Sequence, residues 1–366
     1  MTSVGASFGR LFWSCLVSAL LGAGCGAPAK FVLHAAEGQL DLYRSSRPIA
    51  DVVKDHRTPE DVRQLLSEVP RVKHFALEHG LAISDNYDNY VALHRRYVVW
   101  FVNASDPLVF YPKAFWFPIV GSFPGLGWFD EGLAKKHAAA LSREGWDVSV
   151  RGVRAFSTGG WFSDPILSSM FTDSDNAVGY LVNVILHESL HATVLIKDQQ
   201  FYNESLASFV GDQMTLEYLS QRFGPNSDVM TTYLEEVAKG EAAEQLLSDR
   251  YQELEVLYAS ELPVREKLLK KQKIMRELYV RLGFDDLPTN ATLIGTRLYD
   301  VGQLEFAQLL KACGRDWNRF IFVTASVHGQ HFEAPQQEQF AGLVSRMAER
   351  GCQPLAQRSP SRYRMH

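Results

Sequence analysis

Apolar positions recur along this chain with two periods, one typical of helices and one typical of strands. In residues 58–81, "TPEDVRQLLSEVPRVKHFALEHGL", they lie three and four apart, which predicts a helix with Thr58 as its N-cap. Further on, the period shortens towards two, and β-branched and aromatic residues become frequent. This pattern predicts strands at 95–104 and 146–156, with a bulge or kink at Gly152.

Helical spacing returns between these strands and dominates the last third of the chain. Residues 131–145, "EGLAKKHAAALSREG", predict a helix that ends at its last glycine. Residues 231–283 are charged and helical, and we expect a long helical hairpin broken near Pro263. Two further helices are predicted around 301–313 and 335–350.

These elements predict an α+β fold with a small mixed sheet and a largely helical C-terminal half. We expect one globular domain over residues 25–366, divided into an α+β part at 25–225 and a helical part at 226–366. A chain of 366 residues is long enough to bury a full hydrophobic core. Its net charge of −5, with no basic block, argues against nucleic-acid binding.

The N-terminus carries an export signal. One basic residue precedes "LFWSCLVSALLGAGCGAP", an apolar segment that is too short to span a bilayer, so we interpret residues 1–24 as a signal peptide. The "GAGC" that ends at Cys25 is similar to a bacterial lipobox, although Gly22 stands where leucine is usual. This interpretation predicts a lipoprotein that faces the periplasm and is held at the membrane by a lipid on Cys25. The alternative is an ordinary signal peptide cleaved near Ala27 or Ala29.

Few cysteines remain for disulfide bonding in an exported protein. Cys15 is removed with the signal peptide, and lipidation would use Cys25. Cys313 and Cys352 are then the one pair available in an oxidising compartment. Whether their Cα atoms approach closely enough for a disulfide is left open by the sequence.

An apolar stretch, "DSDNAVGYLVNVILHESLHATVLI", carries the candidate chemistry. It predicts a core helix capped by Ser174 or Asp175. His187 and His191 are four residues apart, so both imidazoles leave the same helix face, whereas Glu188 is rotated by about 100°. This is the HExxH arrangement, in which two neutral imidazoles bind Zn²⁺ and the glutamate acts as general base.

A third ligand is needed, and the sequence favours a glutamate. The metzincin pattern requires glycine and histidine where this chain has Val194 and Lys197, so that class is excluded. The next helix, "FYNESLASFVGDQMTLEYLSQRFGP", offers Glu204 in its first turn, with Asn203 as the expected cap. Residues 197–202 make a short connection, which favours antiparallel helices and places Glu204 opposite the histidines.

The order of HESLH and NESLASF is similar to the gluzincin pattern of HExxH followed by NExxA. More closely, the chain resembles a family of bacterial "putative aminopeptidases", which are often lipoproteins. The resemblance rests on these two motifs and on "GQLDLYRSSRPI", "RRYVVWFVNA", "FWFPIVG", "FSTGGWFSDPILSSM" and "LYDVGQLEFAQLL". At "GSFPGLGWF" the chain departs from the family, because Ser122 and Gly125-Leu126 stand where relatives have a cysteine and a Tyr-Arg pair.

The resemblance implies a zincin-like metallopeptidase fold, an exported location and a peptide substrate. Carried onto this sequence, the family's zinc ligands are His187, His191 and Glu204, and Glu188 is the general base. Tyr299 is our candidate for stabilising the oxyanion because it lies in one of the matching segments.

Two other features near these motifs have a functional and a structural interpretation. Trp161 either packs beside the site or belongs to the core, and the strand at 148–155 either pairs with an extended peptide or is an ordinary core strand.

Further polar residues admit simpler explanations. Asp198 and Asp212 could orient an imidazole, although a helix end or a surface position explains each of them as well. His328 and His331 have the spacing of metal ligands but no acidic neighbour in sequence, so we interpret them as part of a loop.

Two functions are therefore compared. One is a zinc-dependent peptidase, and the alternative is an exported zinc-binding lipoprotein with a structural or partner-binding role and little catalysis. The presence of Glu188 favours the peptidase, because structural zinc sites are usually closed by four protein ligands and need no base. The sequence leaves open whether such an enzyme is an exopeptidase or an endopeptidase.

Overall fold

Short strands alternate with helices up to residue 171, and the chain is helical from residue 177 onward. The structure, a computed structural model, describes residues 27–83, 85–117, 121–155, 163–171, 176–297 and 301–355. The helices are α1 Ala27–Ser45, α2 Ile49–Lys54, α3 Glu60–Glu78, α4 Glu131–Arg143, α5 Ala177–Thr193, α6 Gln200–Phe223, α7 Asp228–Ala259, α8 Val264–Leu282, α9 Asn290–Arg297, α10 Gln303–Ala312, α11 Trp317–Ala325 and α12 Ala341–Glu349. The strands are β1 Arg47–Pro48, β2 Asn89–Val91, β3 Val99–Ser105, β4 Phe115–Phe117, β5 Gly121–Phe123, β6 Gly125–Trp128, β7 Asp147–Val153 and β8 Ile166–Leu167.

The strands form three small sheets in the described part of the chain, where the sequence suggested one mixed sheet. Strand β2 pairs antiparallel with β1 and parallel with β8, so one sheet is mixed. A second, antiparallel sheet has the order β6-β3-β7, and β4 and β5 form a separate hairpin. The α+β class is confirmed. The separation follows from strand length, because β1 and β8 are each two residues long and cannot extend a ladder.

Strand β7 pairs with β3 along its whole length and lies at an edge of its sheet. Gly152 is paired with Trp100 inside this ladder, so the prediction of a bulge or kink at Gly152 is wrong. A Cβ at Gly152 would lie 2.3 Å from Cδ2 of Tyr97. Glycine is required there because an aromatic ring covers the backbone.

Several helix boundaries follow the sequence pattern. The predicted helical hairpin is formed by α7 and α8, which are separated by residues 260–263 with Pro263 as the N-cap of α8. Helix α4 begins after Asp130, whose carboxylate accepts a hydrogen bond from Leu133 N. The expected division at residue 225 falls in the turn between α6 and α7.

Other boundaries differ from the prediction. Helix α3 begins at Glu60 with Pro59 as its N-cap, one residue later than expected, because Pro59 is in an extended conformation. Helix α11 was not predicted. Helix α12 begins only at Ala341, because residues 334–337 form a loop that is hydrogen-bonded to the start of α6.

Two buried cores and one buried ion pair hold the helical hairpin to the rest of the chain. The larger core surrounds α5 and α6, whereas a smaller one lies between α7, α8 and α9. Beside the smaller core, the buried ammonium of Lys271 pairs with the Asp147 carboxylate at the start of β7. It also donates a hydrogen bond to the Pro107 carbonyl oxygen at 2.7 Å. This pair therefore joins α8 to the antiparallel sheet.

A disulfide closes the C-terminal part of the described chain. Cys313, directly after α10, is bonded to Cys352, three residues after the end of α12, with their Cα atoms 4.9 Å apart. Both cysteines are buried. None of the described helices is both long enough and apolar enough to cross a membrane.

We expect Lys271→Ala to lower the free energy of unfolding by about 3 kcal/mol, because it leaves the Asp147 carboxylate without its buried partner. Lys270→Ala is the matched control, since the neighbouring Lys270 is exposed. Urea denaturation measures both variants. Equal midpoints for the two variants would show that the ion pair contributes nothing to stability.

Candidate metal centre

The two histidines of HESLH lie on one face of α5, near its C-terminal end. Their ring centroids are 5.0 Å apart and the ring planes are nearly perpendicular. Between residues 181 and 190, seven of the other side chains of this helix are buried, which fixes α5 in the centre of the larger core. The core therefore presents both imidazoles in one direction.

The structure brings Glu204 of α6 to the same point. Oε2 of Glu204 is 3.5 Å from Nε2 of His187 and 3.5 Å from Nε2 of His191. The three side chains are only 20%, 16% and 11% exposed, respectively. One potential ligand atom from each of them lies within 4.8 Å of the others, and no other His, Cys, Asp or Glu cluster of this kind occurs among the described residues.

Close packing of α5 against α6 explains this convergence. The two helices run antiparallel, with Asn183 opposite Asp212 at one end and His191 opposite Glu204 at the other. Between these contacts lies Gly211, where a Cβ would be 3.3 Å from Cβ of His187. A larger residue at Gly211 would push the helix that carries the histidines outwards.

Helix α6 begins four residues earlier than expected, which changes the role of Asn203. It is not a cap but lies inside the helix, almost fully buried. Its side chain accepts a hydrogen bond from Ile196 N at 2.9 Å and donates one to Ile196 O at 2.8 Å. Asn203 therefore fixes the connection between the two helices directly beside Glu204.

The distances from Oε2 of Glu204 to the two imidazoles fit a shared metal ion better than direct hydrogen bonds. An N–H···O hydrogen bond is usually about 2.7–3.2 Å long, which is shorter than the 3.5 Å found between the imidazoles and Glu204. Ligand atoms around a tetrahedral Zn²⁺ with bonds of about 2.0–2.1 Å are about 3.3 Å apart. Two imidazole nitrogens and a carboxylate oxygen are also the donor set that Zn²⁺ prefers. The residues present therefore fit this metal.

Electrostatics at the centre couple the three groups. Burial alone would lower the pKa of His191, but the Glu204 carboxylate outweighs this effect and raises the pKa to about 9. Burial would likewise raise the pKa of Glu204, yet His191 and His187 together hold it well below its usual range. In the absence of metal, the charge on this buried carboxylate is therefore balanced by protonated imidazole.

Glu188 lies beside this cluster but not in it. It contributes no atom to the group formed by the three candidate ligands. Its charge nevertheless reaches the centre, since it is one of the groups that raise the pKa of His191. It also raises the pKa of Tyr180, after the larger effect of burial. This is the position expected of a base adjacent to a metal.

The two aspartates that could orient an imidazole have different surroundings. Asp198 accepts a hydrogen bond from Ser122 N at 3.3 Å. Asp212 accepts one from Nδ2 of Asn183 at 2.7 Å, and His187 lowers its pKa against the larger, raising effect of burial. Within the described part of the chain, Nδ1 of His191 has no hydrogen-bond partner. Neither aspartate orients His191.

The loop before α12 supports the connection between α5 and α6, and sequence reasoning missed this contact. Asp198 and Gln336 both have left-handed backbones, with φ of 58° and 54°, and Gln336 N donates to Asp198 O at 2.6 Å. The buried side chain of Gln199 donates to Ala334 O and accepts from Gln337 N. Hydrogen bonds between positions more than 130 residues apart leave no periodic signal that could have revealed this contact.

His328 and His331 do not join the cluster. His328 and His331 form a short 3₁₀ turn, in which His328 N donates to Nδ1 of His331 at 3.0 Å. Cys25, Trp161 and Tyr299 lie outside the described residues, as do the expected caps Ser174 and Asp175.

Comparison with known proteins identifies a family for the chain. A family model described as "Putative aminopeptidase" matches residues 30–339, which is most of the chain and includes both helices that carry the candidate ligands. The chain belongs to this family. No curated protein and no solved structure matches it significantly.

We expect Asn203→Ala to lower the free energy of unfolding by about 2–4 kcal/mol, because it leaves two buried backbone groups of Ile196 without a partner. Gln213→Ala on the exposed side of the same helix is the control. Chemical denaturation of both variants measures the difference. An Asn203→Ala variant as stable as Gln213→Ala would show that the two hydrogen bonds between Asn203 and Ile196 do not contribute to stability.

Proposed function

We propose that this protein is a zinc-dependent peptidase of the gluzincin type, with His187, His191 and Glu204 as the metal ligands. The observation that supports it best is the pair of 3.5 Å separations from Oε2 of Glu204 to the two imidazoles. Membership of the family described as "Putative aminopeptidase" supports peptidase activity. On this proposal the fold is zincin-like, with α5 as the active-site helix.

Three protein ligands leave one position of a tetrahedral ion open, as in catalytic rather than structural zinc sites. Bound Zn²⁺ supplies Lewis acidity, which makes water a stronger acid and polarises the carbonyl group of the substrate. The ligands hold this charge in a site that is largely shielded from solvent. Low exposure strengthens each electrostatic interaction there.

Glu188 acts as the general base in this proposal. It accepts a proton from the attacking water and then passes it to the leaving amine. Its place one residue after His187 turns the carboxylate away from the ligand row by about 100°. Tyr299 remains our proposed donor to the oxyanion.

A peptide substrate needs a surface on which an extended backbone can lie. Strand β7 is at an edge of its sheet, so one side of its backbone is unpaired within the described residues. An edge strand can bind a peptide by adding it to the sheet. The family description favours removal of N-terminal residues, so we extend the proposal to aminopeptidase action.

We further propose that the protein is exported and anchored by a lipid on Cys25, which lies two residues before the first described helix. The disulfide between Cys313 and Cys352 supports export, because such bonds persist in oxidising compartments.

The metal proposal predicts different outcomes for the base and for a ligand. We expect Glu188→Gln to keep its zinc and its melting temperature while peptide hydrolysis falls by a factor on the order of 10²–10⁴, because an amide cannot accept the proton. Glu204→Ala should lose both bound zinc and activity, since two histidines alone bind the ion weakly. Elemental analysis and peptide cleavage assays measure these quantities.

The substrates in this assay are peptides with free and with acetylated N-termini. Cleavage of the free peptides alone would support aminopeptidase action, whereas cleavage of both would indicate an endopeptidase. Full zinc occupancy in Glu204→Ala would place the third ligand elsewhere. A wild-type protein that binds zinc but cleaves nothing would favour the structural or partner-binding role.

The lipid anchor is tested separately. We expect the protein to partition with membranes and to incorporate labelled fatty acid, and Cys25→Ser should abolish the labelling. Cys313→Ser is a useful control, because it removes a cysteine of the disulfide without changing the export signal. Absence of label from the wild-type protein would contradict the lipoprotein assignment.

A further inference from the structure

A segment that contains Tyr87 begins at the helix that carries Glu188. At one end, Ala82 N donates to Oγ1 of Thr193, in the last turn of α5, at 2.8 Å. At the other end, Tyr90 is paired with Ile166 in the mixed sheet. Glu188 precedes Thr193 by five residues, which is about 7.5 Å along a helix. The segment is thus held at both ends, and its first end lies against the last turn of α5.

Tyr87, in the middle of this segment, has an unusual backbone. Its φ is 65°, in the left-handed region that bulky residues rarely adopt, and its side chain is only 1% exposed. Hydrogen bonds from Tyr87 N to Asp164 O at 2.7 Å and from Asp164 N to Oδ1 of Asn86 at 2.9 Å hold it there. Strain of this kind occurs preferentially at functional sites.

The phenol hydroxyl of Tyr87 is buried without a hydrogen-bond partner among the described residues. Leaving such a group unsatisfied destabilises a fold, so phenylalanine would serve better if only packing mattered. The Glu188 carboxylate accepts no hydrogen bond from the described residues either, although Glu188 is only partly buried. A donor and an acceptor that both lack a partner among the described residues lie in the same region of the molecule.

The charge of Glu188 acts on the hydroxyl of Tyr87. Burial raises the pKa of Tyr87 well above its ordinary value, and the nearby charges of Glu188 and Asp164 raise it further. The phenol therefore keeps its proton and can act only as a neutral donor. Its burial keeps it away from the substrate, so any effect on the reaction must act through another group.

We propose that Tyr87 is a positioning residue for Glu188, to which its hydroxyl donates a hydrogen bond directly or through one water. The hydrogen bond orients the carboxylate towards the attacking water. Such contacts are often long in free enzymes and shorten when substrate binds. This role rests on the peptidase function proposed above.

Tyr87→Phe tests the role because it removes one oxygen atom and keeps the ring. We expect kcat to fall by about 10- to 100-fold, the range for misplacement of a catalytic group, while KM changes by less than about twofold. Zinc content should be unchanged. The melting temperature should stay the same or rise, because the lost hydroxyl had no partner.

Tyr218→Phe is the matched control. Tyr218 is also buried, but its hydroxyl donates to the Glu68 carboxylate at 3.0 Å. Its loss should lower the melting temperature and leave kcat unchanged, the reverse of the pattern for Tyr87.

A double variant separates positioning from a general structural effect. Glu188→Asp shortens the base and should reduce activity without abolishing it. If Tyr87 acts through Glu188, adding Tyr87→Phe should cost much less activity in this background than in the wild type. Additive losses, or an unchanged kcat in Tyr87→Phe, would overturn the proposal. A wild type that cleaves no peptide would instead refute the peptidase function, and the role of Tyr87 with it.

Discussion

The close antiparallel contact between α5 and α6 is the interaction on which the candidate centre depends. Two candidate ligands come from one helix and the third from the other, so a small change in spacing would move Glu204 away from the histidines. Gly211 allows the approach because it places no side chain against Cβ of His187. Asn203 then fixes the connection from inside through both of its bonds to Ile196.

The same connection is held from outside by the C-terminal half of the chain. Asp198 and Gln336 are bonded to each other in left-handed conformations, which bulky residues adopt only when their surroundings enforce them. Gln199 adds two further bonds to the loop that precedes α12. The helical half is therefore part of what builds the centre, in keeping with a family match that extends to residue 339.

Buried charged side chains are neutralised in two different ways in this protein. Lys271 and Asp147 neutralise each other and join α8 to the antiparallel sheet, which is a structural use. At the centre, Glu204 is instead balanced by imidazoles at a distance too long for hydrogen bonds and suited to a shared ion. Glu188 has neither arrangement among the described residues, and an incompletely paired carboxylate is what a general base requires.

The candidate ligands could be found from the sequence because their signals are local. Four-residue spacing on a helix places His187 and His191 on one face, and a short connection brings the next helix back with Glu204. The helical hairpin and its break at Pro263 follow from equally local rules. Tertiary structure alone decided where α6 and α12 begin, how Asp198 is held and which groups surround Tyr87. These features depend on hydrogen bonds and packing between residues far apart in the chain, whose partners no local period or motif specifies.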